Sequence, residues 1–320
     1  MRASVVIRTK DESRRLRLTL TSLASQSVSA QVVVVNDGST DDTEEVLHEA
    51  ANWVDLQTVV HAAARGRSAA SNAGARAATG DLLIFLDGDT LAGPKFVERH
   101  VAAHATRCVI GRGETFHVRS TRLLRDPETL EPWPADERAF SERPRAEVER
   151  MRITRNEILH DFGSIERRAS PGIYPGTGAR RTYELEMDAL VNHPDSPVLW
   201  AAASGSNLSV ERAPFLEAGG FLETLDLNEH RELALRLYAR GLRLVPVPGA
   251  RTYHLIHGVP RNPLEERAWE DVFYRAHPTP AVKLLPVLWA SLSPDSTIPP
   301  AERILSIPEL EAAAARALRC

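Results

Sequence analysis

The sequence predicts an α/β fold built on a doubly wound, mostly parallel sheet flanked by helices. Three observations predict it. Short apolar runs of strand type recur in the first 90 residues: Val5-Val6-Ile7, Val32-Val33-Val34-Val35 and Leu82-Leu83-Ile84-Phe85-Leu86. Each suits a strand buried on both faces of a sheet. Polar turns and helical patterns separate them, so that strand, helix, strand, helix, strand, helix, strand follow in order. The last run closes on Asp87-Gly88-Asp89, at the carboxyl end of a strand, where open α/β sheets bind ligands.

Val5 to Ile7 runs into Arg8-Thr9-Lys10-Asp11-Glu12-Ser13. Ser13 is expected to cap a helix loaded by Leu16, Leu18, Leu20 and Leu23. Val32 to Val35 leads into Asn36-Asp37-Gly38-Ser39-Thr40-Asp41-Asp42-Thr43, a turn rich in capping residues, and a helix is expected from Thr43 to Ala51. A third strand is expected at Leu56 to Val60. Gly66-Arg67-Ser68-Ala69-Ala70-Ser71-Asn72-Ala73-Gly74 then opens a helix of small residues that leads to Gly80-Asp81 and the acidic strand end. Asp87 and Asp89 offer hard oxygen ligands, which favour Mg2+ or Mn2+, and such an ion can hold a diphosphate. The plain alternative is a strand followed by an acidic turn.

Four segments in order, Arg8 to Glu12, Asn36 to Asp41, Arg67 to Gly74 and Gly80 to Asp89, resemble the nucleotide-binding half of the family 2 glycosyltransferases, which share the fold called GT-A. The resemblance implies a nucleotide-diphospho-sugar donor. Thr9 and Glu12 would flank its base and ribose. Asp37 would accept a hydrogen bond from the base edge, as a carboxylate can from a uracil or guanine N–H. Arg67 would lie near the phosphates. Asp87 would face the ribose or the metal, across Gly88 from Asp89, which would face the metal and diphosphate. Asn72 falls among the donor-binding residues, although Asn72 and Gly74 equally suit close packing of the helix on the sheet. Asp11 stands where family members usually have Asn.

Composition excludes other classes. A net charge of -4 with 39 basic residues gives no nucleic-acid signature. Only Lys10, Lys95 and Lys283 are lysines, an arginine bias we read as coding style. Cys108 and Cys320 give neither a disulfide framework nor a metal cluster. No apolar run approaches the roughly 18 residues of a membrane span, and Val5 opens the fold with no signal peptide before it. A cytoplasmic protein without integral membrane association is expected.

A helix near Pro94 to His104 and a strand near Cys108 to Ile110 follow the acidic motif. Residues 116–197 then lose periodicity, and a loop is expected from Ile165 to Gly178. In the resembled family such a region builds the acceptor pocket or a lid; a solvated insertion is the alternative. Order returns at Trp200-Ala201-Ala202-Ala203-Ser204-Gly205-Ser206-Asn207-Leu208-Ser209-Val210. This resembles the family's small-residue strand, where Gly205 would let backbone approach the donor sugar. A short helix, Arg212 to Ala218, precedes Gly219-Gly220-Phe221, and a second helix begins at Asn228-Glu229-His230 and ends at Gly241. Inverting members start that helix with Glu-Asp, the aspartate being the general base. Here the pair is Glu229 and His230. Either could take the acceptor's proton, or they serve only to cap and pack the helix. Because the aspartate is missing, a retaining mechanism stands as an alternative to inversion.

Leu242 to Val245 reads as a strand, Pro246 to Gly249 as a turn, and Arg251 to Gly258 as the last core segment. By resemblance His254 is a metal ligand, with His257 as the nearby substitute; imidazole with carboxylate suits Mn2+ better than Mg2+. Leu284 to Leu292 is apolar enough to dock on the core or on a second subunit, so a homodimer through the C-terminal helices is one expectation. The chain thus divides into a donor-binding half (1–115), an acceptor-region insertion (116–197), a catalytic half (198–258) and a helical extension (259–320). The expected function is metal-dependent transfer of a sugar, from a UDP-sugar ahead of a GDP-sugar, to a small soluble acceptor. A nucleotidyltransferase, or a degenerate protein that only binds nucleotide, is the alternative class. The first lacks support because no glycine-rich, lysine-bearing phosphate loop follows the first strand.

Overall fold

The computed structural model describes residues 1–171, 182–258, 263–293 and 296–319. The first half alternates as expected: β1 (Ala3–Thr9), α1 (Ser13–Ala24), β2 (Gln31–Asp37), α2 (Thr43–Ala50), β3 (Leu56–His61), α3 (Arg67–Ala77) and β4 (Leu82–Asp87). The four strands are parallel and ordered β3-β2-β1-β4. Their register places Arg8 opposite Asp87, and Asp37 opposite His61, so the polar strand ends share one edge of the sheet.

Ser13 does not cap α1. It is the first residue of that helix, and its N–H donates to Asp41 Oδ2 at 2.9 Å. The same carboxylate accepts from Thr43 N at 3.2 Å. One side chain between β2 and α2 therefore satisfies donors at two helix starts. Capping across loops leaves no local spacing to read.

β5 (Thr90–Ala92), α4 (Phe96–Ala103) and β6 (Ile110–Val118) come next. The strand expected at Cys108 starts at Ile110 and runs eight residues further. The insertion contains a two-stranded ribbon, β7 (Leu124–Asp126) with β8 (Glu131–Pro132). Short helices succeed it: α5 (Glu137–Ser141), α6 (Arg145–Met151), α7 (Arg155–His160) and α8 (Phe162–Arg168). β9 (Ser170–Pro171) pairs with Phe116 and His117 of β6. The loop expected from Ile165 is thus helix and strand up to Pro171, and its residues 172–178 lie outside the described residues. α9 (Thr182–Asn192) closes the insertion.

The small-residue segment is a strand only at its end. Leu199–Ala202 forms a 3-10 turn, and β10 (Leu208–Glu211) comes after an irregular stretch. Then come α10 (Arg212–Glu217), α11 (Glu229–Ala239) and β11 (Leu244–Leu255). The turn expected at Pro246 to Gly249 is instead an irregularity inside β11, whose register with β6 shifts between Pro246 and Arg251. Pro246 and Pro248 cannot donate to a ladder, and Gly249 has φ +80°. The full sheet order is β3-β2-β1-β4-β10-β6-β11-β5. β10 runs antiparallel to both neighbours, and β5 antiparallel to β11.

α12 (Pro263–Ala276), α13 (Pro280–Ser291) and α14 (Ile307–Ala317) belong to the core. Phe273, Val282, Leu285, Leu288, Ile307 and Leu310 are buried in one cluster with Phe85, Leu208 and Leu233 of the sheet and α11. Trp200 stacks edge-on to Phe273 with ring centroids 5.8 Å apart. Of the segment expected to dock on the core or on a second subunit, Leu285, Leu288 and Leu292 are buried against the chain itself. Among the described residues no helix is long and apolar enough to cross a membrane.

A polar knot lies on the opposite face of the sheet, between α4 and the residues at the start of β10. His100 Nδ1 is 2.8 Å from Ser209 Oγ, His100 Nε2 is 2.8 Å from Asn207 Oδ1, and His104 Nε2 is 2.9 Å from the same Ser209 Oγ. Burial lowers the pKa of His100 to about 3 and that of His104 to about 4. Both rings are neutral in the fold and charged below about pH 6.5 in the unfolded chain. Their contribution is therefore complete above that pH and is lost as pH falls toward 4 and 3. Each ring costs ~1.4 kcal/mol per pH unit in that window. The urea midpoint should fall between pH 7 and pH 5, and by less in a His104→Leu variant. An equal fall in both proteins would show that His104 does not titrate on unfolding.

Candidate active site

The acidic strand end meets the last strand through β5. Thr90 pairs with His254, and Leu255 N donates to Asp89 O at 2.9 Å. This pairing sets two imidazoles on one carboxylate: His254 Nε2 and His257 Nε2 each lie 2.9 Å from Asp89 Oδ2. Asp89 is 7% exposed. Against its burial, which opposes ionisation, His254 and His257 hold its carboxyl well below the ordinary range. Against burial in turn, Asp89 raises the pKa of His254. The three residues offer ligand atoms all within 4.8 Å of one another. Three donors converging at one spot, two nitrogens and an oxygen, fit a divalent transition metal such as Mn2+ better than Mg2+.

The segment that carries His257 is pinned from several sides. Arg15 of α1 is 3% exposed and donates to Leu255 O at 3.3 Å, Arg125 O at 2.9 Å and Leu124 O at 2.5 Å. Thr121 Oγ1 donates to Ile256 O at 2.9 Å. In the sequence Arg15 is only one residue of a helical pattern; a buried guanidinium that holds three carbonyls from distant segments has no sequence signature.

Asp87 is not among the converging ligands. Its Oδ1 is 3.0 Å from an Arg8 guanidinium nitrogen, and a second nitrogen of Arg8 is 3.3 Å from Glu229 Oε1. Arg8 thus joins β1 and β4 to the start of α11. Against its burial, Asp87 and Glu229 raise its pKa. Glu229 is buried, and against that burial His230 and Arg8 lower its pKa to about 2. His230 Nδ1 is 3.7 Å from Glu229 Oε2, and its Nε2 is 2.7 Å from an Arg231 guanidinium nitrogen. Burial and the Arg231 charge lower the His230 pKa. A Cβ on Gly205 would sit 3.0 Å from His230 Nδ1 and 3.5 Å from Glu229 Oε1. The glycine admits the close approach of its loop to this pair.

The residues expected at the nucleotide lie at the neighbouring strand ends. Asp37 accepts from Arg65 N at 2.9 Å and Gly66 N at 3.0 Å, and His61 Nδ1 is 2.6 Å away. These contacts hold its pKa down against burial and tie β2 to the start of α3. Thr9 is buried and Glu12 half-buried. Burial, then the Asp89 charge, raises the Glu12 pKa well above its ordinary value. A Cβ on Gly88 would collide with the Glu12 carboxylate, so glycine lets the two acidic elements meet. Arg67 is exposed at the first turn of α3.

Asn72 makes the packing contacts that were the other reading of this position. It is 3% exposed; its Oδ1 accepts from Phe221 N at 2.8 Å, and its Nδ2 donates to Phe221 O at 2.8 Å and Glu223 Oε1 at 3.2 Å. Both ends of the amide clamp the loop before α11. Gly74 likewise packs the helix, since a Cβ there would lie 2.5 Å from Val6 Cγ1.

Comparison with known proteins agrees with this fold. The family described as Glycosyl transferase family 2 matches residues 4–164, just over half of the chain. The chain is similar to a validoxylamine A glucosyltransferase of Streptomyces hygroscopicus subsp. jinggangensis, 30% identical over 303 residues. That match covers 90% of this chain and 63% of the relative, so the chain spans less than two thirds of its length. Among solved structures, S. aureus TarS 1-349 in complex with UDP-GlcNAc superposes with a TM-score of 0.55 at 16% identity, covering 94% of this chain and 69% of the other. The mannosyltransferase PcManGT from Pyrobaculum calidifontis, in complex with GDP-Man and Mn2+, gives 0.52 at 18% identity, covering 99% and 74%. The sheet order, the acidic strand end and the family match together establish that this chain belongs to glycosyl transferase family 2 and has the GT-A fold.

Proposed function

We propose that the chain is a metal-dependent glycosyltransferase that moves a sugar from a nucleotide-diphospho-sugar to a small acceptor, with inversion at the anomeric carbon. The observation that carries this reading is the convergence of Asp89, His254 and His257 at the strand ends, beside the Asp87–Arg8–Glu229 bridge. Family membership supports sugar transfer. The glucosyltransferase relative, whose name specifies validoxylamine A, supports a small acceptor. The neighbours bound to UDP-GlcNAc and to GDP-Man with Mn2+ support the donor class and the metal; a UDP-sugar is placed first.

In this reading Asp89, His254 and His257 hold the cation, and Asp87 stays paired with Arg8 at the donor. A bound divalent cation supplies Lewis-acid stabilisation of the negative charge on the departing diphosphate. Thr9, Glu12 and Asp37 flank the nucleoside, Arg67 lies toward the phosphates, and Gly205 lets backbone close on the sugar. Residues 1–115 form the donor half, 116–197 shape the acceptor side, 198–258 supply the catalytic helix and the histidines, and 259–320 buttress it. The acceptor oxygen or nitrogen bonds to the anomeric carbon as the carbon–oxygen bond to the diphosphate breaks. The acceptor's proton passes to the Glu229–His230 pair. Release of free nucleotide diphosphate separates this reaction from nucleotidyl transfer, which releases pyrophosphate.

Two measurements test the reading. In calorimetry with Mn2+ and a panel of nucleotide-sugars, Asp89→Ala should lose both metal binding and metal-dependent donor binding while its circular dichroism is unchanged. Undiminished binding would remove the metal assignment. In turnover assays with the donor so identified, removing the base from the Glu229–His230 pair should lower the rate about 10²–10⁴-fold with donor affinity kept. NMR of the product should show an anomeric configuration opposite to the donor's; retention would overturn the inverting assignment.

A further inference from the structure

His230 stands where inverting relatives carry their base, yet its surroundings work against that role. Arg231 is 8% exposed and each of its three guanidinium nitrogens donates a hydrogen bond. Nε donates to Ala201 O at 2.9 Å, Nη1 to Asn228 Oδ1 and His230 Nε2, both at 2.7 Å, and Nη2 to Glu186 Oε1 at 2.7 Å. Its Cζ lies over the Trp289 ring, 4.5 Å from the ring centroid. Glu186, on α9 of the insertion, is 3% exposed and also binds Arg112 of β6, whose Nε donates to Ala202 O at 3.1 Å. Several elements distant in sequence therefore hold Arg231 in one orientation.

We propose that Glu186 and Arg231 are positioning residues that fix His230 as its Nδ1-protonated tautomer and so leave Glu229 as the proton acceptor. A guanidinium stays protonated and can only donate. Its N–H therefore points at a lone pair on His230 Nε2. A neutral imidazole with Nε2 as acceptor carries its proton on Nδ1, on the side of Glu229 Oε2 at 3.7 Å. The acceptor's proton cannot go to Nδ1, which already has one, and at Nε2 it would meet the Arg231 cation. The charged groups around the ring are Glu229, Arg231 and Glu186, with Arg8 behind Glu229 and Arg112 behind Glu186. Glu229 is ionised, with one oxygen toward Arg8 and the other toward the imidazole.

This inference rests on the proposed transfer only for the word acceptor; the tautomer itself is observable without substrate. Long-range 1H–15N correlation spectra of the full chain labelled at histidine, with His230 assigned by its loss in His230→Gln, should show an Nδ1–H ring that stays neutral from pH 8 to pH 5. Arg231→Met should lift the constraint on Nε2, admit the Nε2–H tautomer and raise the pKa of the ring from its parent value. Glu186→Gln, which keeps the shape but removes the charge anchoring Nη2, should give mixed tautomers. An Nε2–H ring or a charged ring at pH 7 in the parent protein overturns the inference, and a parent-like spectrum from Glu186→Gln removes Glu186 from it. If the parent ring is Nδ1–H but Glu229→Gln keeps full turnover, the tautomer stands and the proposed base fails.

Discussion

The site depends on one constraint: buried charges at the carboxyl ends of the strands must find partners, because an unpaired charge removed from water costs several kcal/mol. Asp89 satisfies it with His254 and His257. Asp87 satisfies it with Arg8, which Glu229 shares. These pairs join the first strand, the fourth strand, the start of α11 and the end of the last strand. The two halves of the chain, separated by the insertion, are therefore locked together at the point where ligand chemistry is expected. The β5–β11 ladder supplies the geometry, since pairing Thr90 with His254 brings the adjacent Asp89 to the end of β11.

A second layer of buried charge holds the first. Glu186 binds both Arg112 and Arg231, and Arg15 ties the end of β11 to α1 and the insertion. Buried ion pairs of this kind are poor sources of net stability but strong sources of unique geometry when every donor is engaged. They also explain why the insertion and the C-terminal helices are not appendages. α9 brings Glu186, and α13 brings Trp289 to the face of Arg231, so both reach the residues beside Glu229 and His230.

Much of the donor half is legible in the sequence because its signals are local. Val5 to Ile7, Val32 to Val35 and Leu82 to Leu86 all lie in strands, α2 starts at the expected Thr43, and α3 starts at Arg67, one residue after the expected Gly66. Expectation and structure part where distant segments intervene. Ser13 has the chemistry of a cap, but Asp41 reaches its N–H from another loop. Pro246 to Gly249 has the composition of a turn, but β6 pairs with β11 on both sides of it. Asn72 sits in a motif shared with donor-binding residues, yet its amide is occupied by Phe221.

By itself the sequence determined the alternation of strands and helices, the carboxylates at a strand end, the unusual Glu229–His230 pair and the histidines at and just past the end of the last strand. Apolar periodicity and short motifs are properties of neighbouring residues, and a single chain displays them directly. Tertiary structure alone decided that Asp87 pairs with Arg8 while Asp89 takes both histidines, that Arg231 faces His230 Nε2, and that Glu186 stands behind it. Those choices depend on strand register and on which long side chains meet in a dry interior. Glu186 and Arg231 are 45 positions apart in the chain, and a charge at such a separation acquires its partner only when the fold removes both from water.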